Sequence, residues 1–471
     1  MFVKTKFIAT LGPATDEEKI LRRLILSGVN LFRLNFSHGT HQEHQKRIQL
    51  IRKFEKALNK NLAIIQDLSG PKIRLGKLFS EPTEIKTGKI VKLFSGTKSP
   101  SVDLIPVNYP RLCRDLKKSD TILLGDGDIE LRVLEVDAEK VICKVIVGGK
   151  VSSSKGINLP SERLSVSVLT EKDRKDLKFG IQAGVDFIAL SFVRCPEEIV
   201  SVRKILKKEK CHLPIIAKIE TPQAVKNIEQ IIKVSDAIMV ARGDLGVELP
   251  LPQIPLIQKK IIRLANIYAR PVITATQMLR SMVESKRPTR AEVTDVANAI
   301  FDGTDALMLS EETAIGKYPV ETVKMMRRVA LEAEKSQLHF PLNLPQFPPA
   351  HSIPEAISFS AVRMAGEMKA KAIITPTRSG YTTRLVSRFR PPCPILAITP
   401  RKETLKQLAL VWGAMGVLAG DLEETPQLLE YASRLARKYL KLKKGDLVVI
   451  TAGLPIEKPG ITNLVKLEKI S

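Results

Sequence analysis

Ten side chains able to carry chemistry stand at or just beyond the ends of short apolar runs: Arg33, Asn35, Ser37, Asp67, Lys218, Glu220, Asp244, Thr276, Ser310 and Glu312. Arg binds phosphate as a two-pronged donor and Lys binds it as a point charge. Glu220 and Asp244 are hard oxygen donors. Such a pair suits Mg2+ or Mn2+ and leaves positions for water and phosphate, whereas Zn2+ favours His and Cys. The hydroxyls of Thr276 and Ser310 can hold water or pass protons. Brought to one place, these groups are the equipment of a metal-assisted phosphate enzyme.

The motifs sharpen that chemistry. In RLNFSHG (33–39) Arg33 can grip a phosphate while Asn35 and Ser37 offer neutral oxygens. KIET (218–221) and MVARGDLGVE (239–248) bring Lys218, Glu220 and Asp244. The GDLG turn can present backbone N–H groups to a substrate carboxylate at a helix start. TATQML (274–279) and MLSEET (308–313) add Thr276, Ser310 and Glu312. Each motif alone also reads as a solvated turn, an ion pair or a helix cap. Their common placement at run ends favours the functional reading.

The elements that must position them repeat. Apolar runs cover 6–12, 30–36, 62–68, 186–193, 214–220, 237–244, 271–276 and 305–310, separated by helical patterns such as Asp16–Ser27, Thr40–Leu58, Pro222–Val234 and Arg290–Phe301. Continuous apolar runs alternating with helices predict buried parallel strands. This number of units predicts a (β/α)8 TIM barrel with its active site at the strands' C-terminal ends. Between Asp67 and Thr170 the chain is far too long for an ordinary βα loop. Alternation at Lys89–Phe94, Thr121–Leu124, Ile129–Val136 and Lys140–Val147, with turns at Gly125-Asp-Gly and Gly148-Gly149, predicts an inserted small β-barrel lid domain. The Pro-rich stretch 340–349 marks a boundary. Beyond it, helix 354–369 and strands at 371–376, 394–399, 415–419 and 446–452 predict a C-terminal open α/β domain, with GITN (460–463) in its last strand. The expected domains are 1–69 with 156–338, the insert 70–155, and 350–471.

Composition narrows the class. An apolar content of 44% over 471 residues supports buried cores and argues against disorder. No apolar run approaches the roughly 20 residues that span a bilayer, and the N-terminus lacks a signal-peptide pattern. Cys113, Cys143, Cys195, Cys211 and Cys393 are odd in number and scattered, which predicts free thiols in a reducing cytoplasm. The formal charge of +25 is spread along the chain without a basic block, and only 5% of residues are aromatic. With no nucleic-acid-binding signature, that charge suits steering of small anions, and nucleic acid is not expected as the primary partner.

Together the motifs resemble the pyruvate kinase family. The matching segments are KTKFIATLGPAT, RLNFSHG, DLSGPKIR, KGINLP, KIETP, MVARGDLGVE, ITATQML, RPTRAEVTDVANAIFDGTDALMLSEETAIGKYP, TPTRSGYT and ITN, running from residue 4 to 463. The resemblance implies a catalytic barrel, a β-barrel lid and a C-terminal domain, assembled as a homotetramer. It implies a Mg2+-dependent transfer of the phosphoryl group of phosphoenolpyruvate to ADP, the last step of glycolysis. Arg33, with Arg74 and Lys155, would hold the substrate phosphate, and Lys218 would stabilise the migrating group and the enolate. Glu220 and Asp244 would ligate Mg2+ (or Mn2+), and the amides of Ala241, Arg242 and Gly243 would take the carboxylate. Thr276 would line the protonated face, with Ser310 and Glu312 in the proton chain. Asn35, His38, Arg74 and Lys155 would lie on the nucleotide side. Asn35, Ser37, Asp67 and the Leu68 carbonyl would form a monovalent-cation pocket.

Two departures stand out. Potassium-requiring members carry Glu where this chain has Lys72. Two cations about 4–6 Å apart repel by several kcal/mol at an effective dielectric near ~20. The expectation is that Lys72 supplies the charge and that activity is independent of K+. Glu311 replaces a usual Gly; if that position needs positive φ, Glu costs roughly 1 kcal/mol or more. Thr377, Ser379, Gly380 and Thr382 in TPTRSGYT resemble the family's effector-phosphate loop, which could take a sugar phosphate or AMP. A lyase could share the metal carboxylates but would not need Arg74, Lys155 or a lid. A regulatory protein with a decayed barrel would have lost part of the set.

Overall fold

The computed structural model describes residues 2–125, 127–159, 167–336, 350, 352–420, 425–453 and 461–470. Eight parallel strands close a barrel: β1 (Lys6–Thr10), β2 (Leu31–Asn35), β3 (Ala63–Asp67), β4 (Phe187–Leu190), β5 (Ile215–Ile219), β6 (Ala237–Ala241), β7 (Val272–Ala275) and β8 (Ala306–Leu309). Each lies inside one of the apolar runs. Closure is by β8 against β1, with Lys6 opposite Ala306 and Ala9 opposite Leu309. Inward side chains such as Ile8, Ile65, Ile216, Met239 and Ile273 fill the interior, and the alternate set packs under the outer helices. This is the double burial that makes parallel strands read as unbroken apolar runs.

The helices start where the sequence offers caps. Thr40, Thr170 and Thr289 each form a capping box, opening His41–Ala57, Glu171–Ala183 and Arg290–Phe301. The pattern at 222–234 is not one helix. It breaks into Pro222–Lys226 and Ile228–Val234 at Asn227, whose φ of −96° and ψ of 15° leave the helical region. The Asn227 amide donates to the Arg194 carbonyl at 2.9 Å, a bond to a segment 33 residues away that holds the break in place.

The insert has its own core, with Leu93, Ile122, Leu131 and Val141 fully buried. Six strands run in the order 157–158, 121–124, 129–136, 140–147, 90–95, 104–107, and Thr83–Ile85 pairs separately with Gly149–Val151. Arg74 bridges to Gly156 beside one edge, and Leu75 to Val107 on the other. The segment thus ties the two edges together.

The C-terminal sheet orders its strands as 414–418, 395–399, 372–376, 447–452 and 464–469. Its last strand is antiparallel and begins at Leu464, after the ITN segment rather than within it. Gly460 and the Pro-rich stretch 340–349 lie outside the described residues. This domain also completes the barrel: Ala409 and Leu410 join the interior cluster beneath Ile8 and Met308. Arg390 donates to Asp305 at 2.9 Å and its guanidinium lies 4.9 Å from the Trp412 ring.

Candidate active site

The C-terminal ends of the strands carry a buried ionic network. Strands β2 and β3 pair with Asn35 opposite Asp67, which puts Arg33 and Asp67 on one rim. Arg33 Nε donates to Asp67 Oδ2 at 2.6 Å, and its NH1 donates to Thr10 Oγ1 at 3.2 Å. Lys218 Nζ lies 3.2 Å from Asp67 Oδ1 and 3.0 Å from Glu220 Oε1, and donates to Ser191 Oγ at 2.7 Å. The second oxygen of Glu220 accepts the Phe192 amide at 2.7 Å.

Charge and burial compete here. Burial alone would lift the Asp67 carboxyl, but Lys218 and Arg33 outweigh it and hold it below the ordinary range. Burial disfavours the Lys218 ammonium, yet Asp67 and Glu220 raise its pKa overall. Glu220, only 1% exposed, is pushed up by burial, Lys218 opposing and the charge of Asp244 adding to the push. The half-buried Asp244 carboxylate has no hydrogen bond or ion pair among the described residues. A strained carboxylate beside an unpartnered one fits a divalent cation that leaves its other positions to water and substrate.

Opposite this network, β7 ends in Thr276 and Gln277, both left-handed at φ +69° and +54°. Such backbone costs about 1–2 kcal/mol per residue outside Gly, and Arg242 holds it in place. Its guanidinium donates to the carbonyls of Ala275 (3.2 Å) and Thr276 (2.8 Å) and pairs with Asp295 at 2.7 Å. The Gly243 amide donates to Thr276 Oγ1 at 2.8 Å, so this turn presents Thr276 instead of leaving that amide bare. Glu312, 1% exposed, accepts the amides of Ser310 (2.7 Å) and Leu279 (3.1 Å). Glu311 opens the short helix Glu311–Ala314 and is not among the left-handed residues, so no Gly is required there. Its carboxylate pairs with Arg280 on the surface at 2.8 Å.

The lid forms the other wall. Pro71, Lys72, Gly156, Phe192, Thr221 and Asp244 line a cleft open to solvent. Lys72 is exposed at its edge beside Gly156, and no contact joins it to Asn35, Ser37 or Asp67. The carbonyl of Leu68 accepts the Ser191 hydroxyl at 2.7 Å, and Asn35 Oδ1 accepts the Ser37 amide at 3.1 Å. Arg74 NH1 donates to the Ser154 carbonyl at 3.0 Å, and Lys155 is exposed on the same segment. Asn158 Nδ2 donates to Glu248 Oε1 at 2.9 Å, joining the lid to the helix that bears Asp244. Burial raises the Glu248 carboxyl.

His38 is exposed on the turn after β2, and its carbonyl accepts from His44 Nε2 at 3.0 Å. Ser191, Thr10, His44, Asn158 and Glu248 belong to the site but escaped sequence reasoning. Ser191 directly follows strand β4, as Glu220 follows β5 and Thr276 follows β7 within a residue, so its position carried a signal. Farther away, the Gly380 amide donates to Thr377 Oγ1 at 3.0 Å, and Gly380 is left-handed at φ +74°. Thr382 is buried with its hydroxyl 2.7 Å from that of Thr462, while Arg384 donates to the Ser379 carbonyl at 3.1 Å.

Comparison with known proteins adds a family. "Pyruvate kinase, barrel domain" matches residues 2–323, and "Pyruvate kinase, alpha/beta domain" matches 355–468. Pyruvate kinase 2 of Synechocystis is 47% identical, over 99% of this chain and 79% of its own. The pyruvate kinase of Staphylococcus aureus is 43% identical over 99% and 80%. The crystal structure of a Cryptosporidium parvum pyruvate kinase superposes with a TM-score of 0.93 at 36% identity, covering 100% of this chain and 96% of that one.

Proposed function

The chain belongs to the pyruvate kinase family, and from that premise we propose that its barrel mouth transfers the phosphoryl group of phosphoenolpyruvate to ADP with Mg2+ (or Mn2+) held by Glu220 and Asp244. The observation that carries the reading is Lys218, buried between Asp67 and Glu220 within reach of Ser191. A loose phosphoryl transition state needs fixed positive charge more than covalent help. Arg33, aimed by Asp67, holds the substrate phosphate, and Lys218 faces the migrating group and the enolate oxygen. When bound by Glu220 and Asp244, a divalent cation would add positive charge to the site. The turn at Ala241 and Arg242 forms the carboxylate end of the site, the Gly243 amide being held by Thr276 Oγ1. Thr276, fixed by Arg242 and Gly243, faces the carbon that takes the proton, and Glu312 sets Ser310 behind it. Asn35, His38, Arg74 and Lys155 flank ADP under the lid.

Potassium independence belongs to the same proposal. Asp67 already answers to Arg33 and Lys218, the Leu68 carbonyl to Ser191, and Lys72 brings a tethered cation to the cleft edge. We extend it to a homotetramer in the cytoplasm, with a sugar phosphate or AMP as effector at Thr377–Thr382. Among the described residues no helix is long and apolar enough to cross a membrane. The test is pyruvate release from phosphoenolpyruvate and ADP with Mg2+, and its loss when a chelator removes the metal. Folded protein with no turnover in Mg2+ would reject the catalytic assignment.

A further inference from the structure

The Lys218 ammonium has three N–H donors and meets three acceptors, one from each of three neighbouring strands. Two are the carboxylates of Asp67 on β3 and Glu220 after β5, and the third is the hydroxyl of Ser191 directly after β4. Both carboxylates also serve other groups: Asp67 takes Arg33 at 2.6 Å, and Glu220 takes the Phe192 amide at 2.7 Å. Ser191 carries no charge, yet at 2.7 Å it makes the shortest of the three contacts.

A serine hydroxyl can donate or accept, so alone it would hold a lysine in no fixed direction. Here the root of the lid, residues 68–70, makes the choice. Ser191 Oγ donates to the Leu68 carbonyl at 2.7 Å, while Asp67 Oδ1 at 3.5 Å is too distant to compete. With its one proton committed, the oxygen can only accept, and Lys218 is the donor that meets it. The root itself is pinned. Gly70 is left-handed at φ +68°, and a Cβ there would come within 2.9 Å of Ser191 Cβ, so bare backbone lies directly on the serine. Its amide donates to Asp173 Oδ1 at 3.2 Å, and the other oxygen of Asp173 accepts the Thr170 amide at 2.9 Å. One fully buried carboxylate thus fastens the chain on both sides of the lid. Beyond the serine, Phe192 is left-handed at φ +56°. A residue with a side chain keeps that conformation only where its surroundings fix it.

We propose that Ser191 is a positioning residue for phosphoryl transfer: it anchors the Lys218 ammonium to the root of the lid, so that the place of this charge is set by where the lid is rooted. Asp67 and Glu220 keep the ammonium charged, and Ser191 decides which way it points. This rests on Lys218 being the catalytic charge.

Ser191→Ala keeps Asp67, Glu220 and the buried cation and removes only the aim. In steady-state kinetics with Mg2+ it should lower kcat about tenfold or more, the scale of a hydrogen bond to a charged group, with KM for phosphoenolpyruvate changed far less. Ser191→Thr keeps the hydroxyl and should restore most of the loss. Competitive acetylation with acetic anhydride, read by mass spectrometry of the Lys218 peptide, poses the same question without turnover. An ammonium that loses one acceptor gives up its proton more readily, so Ser191→Ala should label Lys218 about tenfold faster than native. Native kcat and native labelling in Ser191→Ala overturn the proposal. So does an equal loss of kcat in Ser191→Ala and Ser191→Thr with lowered melting temperatures in both, which would make the serine a packing residue. Should Ser191→Thr fail to fold, the two Ser191→Ala readouts decide. Folded native protein without turnover, but with the labelling contrast intact, would keep the anchoring of Lys218 by Ser191 and reject the catalytic reading instead.

Discussion

The guanidinium of Arg33 closes on the carboxylate of Asp67 at 2.6 Å, with the two side chains only 11% and 2% exposed. The second oxygen of Asp67 lies 3.2 Å from Lys218. One carboxylate therefore aims two cations at the barrel mouth. Asp67→Asn keeps the shape and removes the charge, leaving both cations short of a partner. Breaking a buried pair costs about 3–5 kcal/mol, so the variant should unfold at clearly lower denaturant and lose most of its turnover. Native-like stability together with native turnover would refute this role.

Lys218→Met tests the catalytic charge itself. Removing one fixed electrostatic contact typically lowers kcat by about 10²–10³. The expected signature is a kcat loss of that size with KM for phosphoenolpyruvate changed far less, because the charge acts on the transition state. A variant with raised KM and near-native kcat would instead mark Lys218 as a ground-state binder.

The barrel strands were readable because burial on both faces writes each one as an apolar run, and the candidate site groups were nameable because they stand near the C-terminal ends of those runs. Less local features were hidden. Asn227 looks like an ordinary helix interior residue until the Arg194 carbonyl lies within reach of its amide. Glu311 looked strained because only the backbone could show that it starts a helix. Asn158 and Glu248 are 90 residues apart, and their bond exists only once the lid is folded over the barrel. Ala409 and Leu410, plugging the barrel from another domain, gave no pattern that points to it.

That lid bond gives a third expectation. Asn158 donates to a carboxylate whose burial raises its pKa, so the bond offsets part of a desolvation penalty. Asn158→Ala should lower kcat/KM for ADP roughly tenfold, the value of one hydrogen bond to a charged group. The melting temperature should barely move, since the barrel core is untouched. Initial-rate kinetics with unchanged kcat/KM for ADP would show that the lid closes without this contact.

Lys72 yields a test in two directions. Native enzyme assayed with Mg2+, tetramethylammonium replacing K+ at equal ionic strength, should retain most of its activity. Lys72→Glu reverses the charge at the cleft edge and should create a K+ requirement, seen as many-fold activation on titration. Strong K+ activation of the native enzyme would refute the tethered-cation role of Lys72.

His44 supplies the pH dependence. Its ring stacks on Phe36 with centroids 4.1 Å apart, Nε2 donates to the His38 carbonyl, and Nδ1 is buried without a partner. A second proton on Nδ1 would be an unsatisfied buried donor. Burial holds the group below its ordinary 6.5, with Arg47 acting in the same direction and the His38 bond, Asp176 and Glu43 opposing. In the unfolded chain the imidazole protonates near that ordinary value, while the folded protein resists. As pH falls below about 6.5 the unfolded state binds more protons. Stability from this group is therefore complete above that pH, declines as the pH drops, and stops declining below the depressed folded-state pKa. His44→Gln cannot titrate, so its melting temperature should fall less steeply than native between about pH 7 and pH 5. Parallel curves would mean that His44 is protonated as readily folded as unfolded, and that its buried Nδ1 has found an acceptor.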